Sequence, residues 1–292
     1  MDASNKGKLF VIDGTDGSGK NTQATVLLEA LVDRYNLAIG KDIIKVSFPN
    51  YGNPGCTMVE KYLNGDFGSD PNKIDPYTSS MFYMIDRSIS FMNDKWGEIY
   101  RNGGIVIADR YYTSNIIHQG AKILNNLKYV EPEPGATISE EQSVVGQFKT
   151  FIQWLTGTEL NNIKLPTPDK IFWLMTDESS NTTMLSHRNK NDLNHKTDIH
   201  EADSEYLNTC RIALRMYKKI CSNRERENIL NYSLPKDMKY ISEILSKDTF
   251  INVLDTENSI RTVDSISHEI MEYIVKFLAL YGMYPESWKT SN

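Results

Sequence analysis

The chain has 292 residues, 40% hydrophobic and 24% charged, which is enough apolar side chain for a sizeable core and argues against disorder. Acidic residues outnumber basic ones, 38 to 32, and the net charge of −6 argues against a non-specific grip on nucleic acid while allowing a small anionic ligand in a local basic pocket. Cys56, Cys210 and Cys221 form no CxxC pair, no stretch reaches the roughly 18 apolar residues of a membrane span, and residues 1–6 lack the apolar run of a signal peptide; a soluble cytoplasmic protein with reduced thiols and no membrane partner is expected.

Five apolar, β-rich runs follow one another with helix-like segments between them. The first, Leu9–Asp13, leads through a glycine-rich stretch into a helical pattern from Thr22 to Val32. The second, Ile43–Phe48, ends at Phe48-Pro49. A helical pattern then covers Met81 to Arg87. The third run, Gly104–Ala108, ends at Asp109-Arg110, and the fourth is Lys170–Met175. A polar, basic-rich stretch from His187 to Glu201 precedes a helix over Tyr206–Cys221, and the fifth run is Phe250–Leu254. Alternation of this kind predicts an α/β fold, a parallel sheet with helices on both faces, which binds ligands at the C-terminal ends of its strands. Segments 125–145, rich in Pro and Glu, and 223–248, with a charged Arg224-Glu225-Arg226-Glu227 patch, look like additions to that core. Both read as surface insertions, or else as a lid or interface element.

Gly14-Thr15-Asp16-Gly17-Ser18-Gly19-Lys20-Asn21, between strand and helix, is the pattern of a phosphate-binding P-loop. Glycines let successive backbone N–H groups converge, the helix N-terminus adds partial positive charge, and Lys20 would reach the β- and γ-phosphates. The pattern's usual last residue is Ser or Thr, whose hydroxyl holds Mg²⁺; here it is Asn21. Asp109 at the end of the third run could help hold Mg²⁺, and Arg110 could clamp a phosphate with its planar fork. Tyr83 and Arg87 stand at i and i+4 on one helix face, where a ring could stack on a base and a guanidinium could donate to its carbonyl edge. The stretch from His187 to Glu201 reads as a mobile lid whose cations close over a transferring phosphate. Its histidines lack i,i+4 spacing and nearby cysteine, so zinc is not expected.

These motifs, taken in order, resemble those of the thymidylate kinases, P-loop enzymes that phosphorylate dTMP. The resemblance rests on the P-loop with Gln23, on Phe48-Pro49, and on Phe82-Tyr83 with Arg87. It continues through Asp109-Arg110-Tyr111 with Ser114 and His118-Gln119-Gly120, Leu165-Pro166-Thr167-Pro168-Asp169, and Asp198-x-x-Glu201 before Tyr206. It implies a P-loop NTPase fold with a five-stranded parallel sheet and a mobile lid near 186–203, in a single domain over 1–292. ATP and Mg²⁺ are implied as cofactor and metal, dTMP as acceptor, and a homodimer as the assembly.

The resemblance also implies roles. Gly14, Asp16, Gly17, Ser18, Gly19, Lys20, Asn21 and Thr22, with Arg188 and Arg261, would hold ATP, and Asp109 and Asn21 would serve the metal. Lys20, Asp16, Arg110 and the lid's Arg188 would carry transfer. Asp16 would accept from the deoxyribose 3′-hydroxyl. Phe48, Pro49, Tyr51, Tyr83, Arg87, Asp109, Arg110, Ser114, His118 and Gln119 would form the acceptor site, with Tyr83 stacking on thymine and Arg87 donating to its O4. Several positions depart from the family pattern. Gly17 supplies no P-loop arginine, so the cation falls to Arg188, Lys190 or Lys196. Ile199 replaces a lid arginine, and Tyr51 stands near where an arginine often touches the acceptor phosphate. A nucleoside kinase is the alternative enzyme, but its carboxylate base after the second strand has no counterpart in Phe48-Pro49-Asn50-Tyr51. A nucleotide-binding relative without turnover is the other reading.

Overall fold

The computed structural model describes residues 6–68, 70–129, 139–177, 180, 183–184, 203–222 and 248–280. Its centre is a sheet of five parallel strands, β1 (Lys8–Gly14), β2 (Ile43–Ser47), β3 (Ile105–Asp109), β4 (Lys170–Met175) and β5 (Asp248–Asn252), in the order β2-β3-β1-β4-β5. Each neighbouring pair runs parallel, with Ile12 opposite Asp109 and Gly14 opposite Leu174. The middles of the central strands, Leu9–Ile12, Ile105–Ala108 and Ile171–Leu174, are apolar without a break because both faces are covered. Leu9, Val11, Val106, Ala108, Ile171 and Trp173 enter one core, whereas Phe10, Ile12, Ile105, Ile107, Phe172 and Leu174 enter the other. This is the two-residue period of a strand, with both phases buried.

The second core is closed by α1 (Lys20–Tyr35) and by the helix Val263–Leu280, here α8, whose Ile266, Ile270, Ile274 and Leu278 form an i,i+4 stripe. The first core is closed by α5 (Thr113–Asn126), α6 (Ser139–Thr156) and the helix Ser204–Ser222, here α7. Phe148, Phe151, Ile152 and Leu155 of α6 are buried there. Between β2 and β3 lie α2 (Thr57–Leu63), α3 (Pro76–Asn93) and α4 (Lys95–Arg101). Among the described residues no helix is long and apolar enough to cross a membrane.

Several boundaries differ from expectation. Asp109 is the last residue of β3 rather than the first after it, because the ladder with Ile12 includes it. β5 begins at Asp248, paired with Ile171, two residues before the apolar run suggested and inside the expected insertion 223–248. The other expected insertion, 125–145, is entered by α5 and left by α6, so both its ends are helical. Residues 130–138 and 223–247, and the expected lid apart from Asp203, lie outside the described residues.

Candidate active site

The P-loop follows β1 directly. Gly14 lies against β4: a Cβ there would stand 2.6 Å from the Leu174 carbonyl oxygen. Gly19, at φ 87°, is the N-cap of α1, and no side chain caps the first turn, so its N–H groups are left for an anion. Gly17, Ser18 and Thr22 stand on the same loop and first turn. Lys20 folds back to donate to the Thr15 carbonyl at 2.7 Å and sits 3.9 Å from Asp16 Oδ1. Burial, with the like charge of Arg110 beside it, lowers its pKa to about 8.

Arg110 follows β3 in the left-handed region, at φ 69°, where its N–H donates to the Ile12 carbonyl at 3.0 Å. A non-glycine residue there is strained, and such strain clusters at functional sites. Its guanidinium binds the Asp16 carboxylate and lies 3.3 Å from His118 Nε2. Burial alone would raise Asp16, but the charges of Arg110 and Lys20 hold its carboxyl far below the usual range. Burial lowers His118 to about 4, which leaves a neutral ring at pH 7. The strand end is tied to α5 by Asp13, which accepts from Gly14 N at 2.8 Å and from Ser114 Oγ at 2.8 and 2.9 Å.

Beside this cluster opens a cavity of about 670 Å³. The P-loop contributes Asp16 and Asn21 to its wall; β3 and the turn after it contribute Asp109 and Arg110. The loop after β2 contributes Phe48, Pro49 and Tyr51. It is anchored by Asn50, whose N–H donates to Asp86 at 3.0 Å and whose amide donates to Asp94 at 2.7 Å. From α3 come Tyr83 and Arg87, so the i,i+4 pair does face one space, and from α5 come Ser114 and His118. Gln119 does not line it. One residue beyond His118 is about 100° further round the helix, where Gln119 is fully buried and accepts from Ser79 Oγ at 2.7 Å. Arg261 does not line it either: it donates to the Asn252 carbonyl at 2.9 Å and to Glu269 at 2.8 Å. Arg188 lies outside the described residues.

Sequence reasoning passed over several cavity residues, Ser47, Glu60, Leu63, Asn64 and Asn115, and named Tyr111 only as part of a motif, without a role in the site. Asn115 is buried with an amide nitrogen that lacks a hydrogen-bond partner among the described residues, and only its place one residue after Ser114 could have flagged it.

The same stretch of chain is similar to known proteins. A family model described as thymidylate kinase matches residues 12–138. The matched stretch runs from the end of β1 past α5, and so contains every cavity residue named above. A thymidylate kinase of Desulfotalea psychrophila is 32% identical over 119 residues, 41% of this chain and 53% of the relative. One of Thermoanaerobacter sp. is 27% identical over 143 residues, 46% and 64% of the two chains. The chain thus spans about half to two thirds of the length of these curated relatives. A solved thymidylate kinase structure from Candida albicans superposes with a TM-score of 0.55 at 16% identity, covering 94% of this chain and 93% of that one; this likeness is one of fold.

Thymidylate kinases imply Mg²⁺ in general, and the residues fit it in part. Asp109 Oδ1 is buried and has no hydrogen-bond partner among the described residues, as a waiting acceptor for a hydrated cation would. Asn21 Oδ1, in contrast, accepts from Lys45 Nζ at 2.7 Å, so an ammonium already faces the oxygen expected to meet the metal. Among the described residues no group of three or more His, Cys, Asp or Glu could hold a metal ion.

Proposed function

We propose that the chain is a dTMP kinase, transferring the γ-phosphate of ATP to the 5′-phosphate of dTMP to give dTDP and ADP. The observation that carries the reading is the Lys20–Asp16–Arg110 cluster, which joins the P-loop to the wall of a cavity with Tyr83 and Arg87 in its lining. The P-loop N–H groups and Lys20 hold the ATP phosphates. Arg110 holds the acceptor phosphate, Asp16 accepts from the 3′-hydroxyl, Tyr83 stacks on thymine, and Arg87 donates to O4. Arg188 supplies the lid cation, and Arg261 stands toward the adenine. Asp109 would hold Mg²⁺ carried with ATP, and the ion would supply neutralisation of phosphate charge there. The acceptor oxygen is already anionic, so positioning and charge neutralisation suffice without a strong base. A single cytoplasmic domain acting as a homodimer completes the reading; Met81, Ile85 and Met92, exposed on α3, support such an assembly.

The test is ADP release from ATP·Mg²⁺ with dTMP, dUMP, dCMP, dGMP and thymidine offered separately. Turnover with dTMP, weaker with dUMP, is expected. Turnover on thymidine alone moves the chain to the nucleoside kinases, and nucleotide binding without turnover makes it a non-catalytic relative.

A further inference from the structure

We propose that Glu159 is the positioning residue that aims Arg87 into the acceptor cavity, so that base selection is set jointly by α3 and by the turn before β4; this rests on reading that cavity as the dTMP site. Glu159 lies 72 residues from Arg87, in a π-helical turn, Gly157–Asn162, that follows α6. Its carboxylate receives Arg87 Nε at 2.7 Å and Nη2 at 2.5 Å, a two-point planar contact between side chains only 1% and 0% exposed. Two N–H groups on two oxygens match a carboxylate; burial works against the guanidinium's charge, and the Glu159 charge and hydrogen bonds, with Asp86 and Tyr111, together outweigh it and hold Arg87 above its ordinary value.

The turn is itself fixed. The Glu159 carbonyl accepts from Leu165 N at 3.0 Å, and Ile163 N donates to the Thr158 carbonyl at 2.9 Å. π-turns of this kind recur at functional sites. With Nε and one Nη2 hydrogen spent on Glu159, and Nη1 only 3.5 Å from the Tyr111 carbonyl, the remaining donors are those at the outer edge of a guanidinium that lines the cavity. The pair is neutral as a whole. Arg87 can therefore reward a carbonyl acceptor on the base without competing with Arg110 for the phosphate.

The test measures kcat and KM for dTMP and for ATP, with calorimetric dTMP binding, in the wild type, Glu159→Gln, Glu159→Asp, Arg87→Met and Arg87→Met/Glu159→Gln. Glu159→Gln leaves an amide N–H facing Arg87, so KM and the dissociation constant for dTMP rise about 10- to 100-fold, while KM for ATP stays within twofold. Glu159→Asp recovers part of the loss. In the Arg87→Met background the Glu159→Gln step changes dTMP affinity less than twofold, because its target is gone. If Glu159→Gln fails to fold, Arg87→Met/Glu159→Met, which buries no charge, must weaken dTMP as much as Arg87→Met does. Unchanged dTMP affinity in folded Glu159→Gln, or equal losses for dTMP and ATP, overturns the assignment. A wild type that neither binds nor phosphorylates dTMP instead overturns the functional reading beneath it.

Discussion

Acidification should destabilise this protein through His118. The ring lies between Arg110 and Cys210 Sγ, 3.3 and 3.7 Å from its two nitrogens, with Asp16 3.8 Å away, and it stacks on Tyr206. Burial, with the charges of Arg110 and Lys20, lowers it from 6.5 to about 4. A base whose folded pKa lies below its unfolded value is protonated first in the unfolded chain. The stability it protects is therefore complete above pH 6.5 and drains away as pH falls toward 4. About 2.5 pH decades at about 1.4 kcal/mol each come to roughly 3 kcal/mol, a large part of an ordinary domain's stability. Urea unfolding from pH 7 to pH 4 in the wild type and in His118→Gln isolates the effect, since glutamine can still accept from Arg110 and does not titrate. The wild type should lose about 3 kcal/mol more than the variant across that window. Asp16 contributes its own acid loss only below its ordinary value of 3.8, outside the window. Parallel stability curves for the two proteins would refute the reasoning.

Lys20→Ala removes the ammonium nearest the P-loop and should lower kcat by about 10²–10³-fold or more; retention of a tenth of wild-type turnover sinks the P-loop assignment. The wild-type profile of kcat/KM for ATP should fall as pH rises through about 8, where Lys20 loses its proton. In Asp16→Asn, which withdraws a neighbouring negative charge, that limb should move to lower pH, and an unmoved limb argues against Lys20 as its source. Gly120→Ala would put a Cβ 2.4 Å from Cε2 of the buried Phe148, between α5 and α6. A loss of about 1–3 kcal/mol in urea unfolding is expected, and an unchanged midpoint would mean that the two helices give way freely.

What could be read ahead was what local pattern encodes. The apolar runs of β1, β3 and β4 are continuous because both phases of each strand are buried, and they located the sheet to within a residue or two. The P-loop was legible because glycine, lysine and helix must follow one another within a single turn. Tyr83 and Arg87 were legible as a shared face because one helix carries both. Glu159 was not, since its meaning is a contact across 72 residues made by a π-turn with no sequence signature. Nor was Lys45 on Asn21, which joins an edge strand to a helix. That Gln119 stays out of the cavity lining could not be read ahead, because a motif gives order along the chain, whereas lining depends on helix rotation. The start of β5 was missed because Asp248 and Thr249 look like loop residues until Ile171 and Phe172 pair with them.

The strand order has a kinetic consequence. With β1 in the middle, β3 and β2 stand on one flank and β4 and β5 on the other. The cavity takes its walls from the first flank, while Arg261 and the start of α8 follow the second. A donor and an acceptor housed in this way would converge only at the P-loop, so neither need cross the other's berth to arrive or depart. Either substrate could then come first and either product leave first, and any obligatory sequence of addition would have to come from movement of the chain rather than from the layout of the sheet.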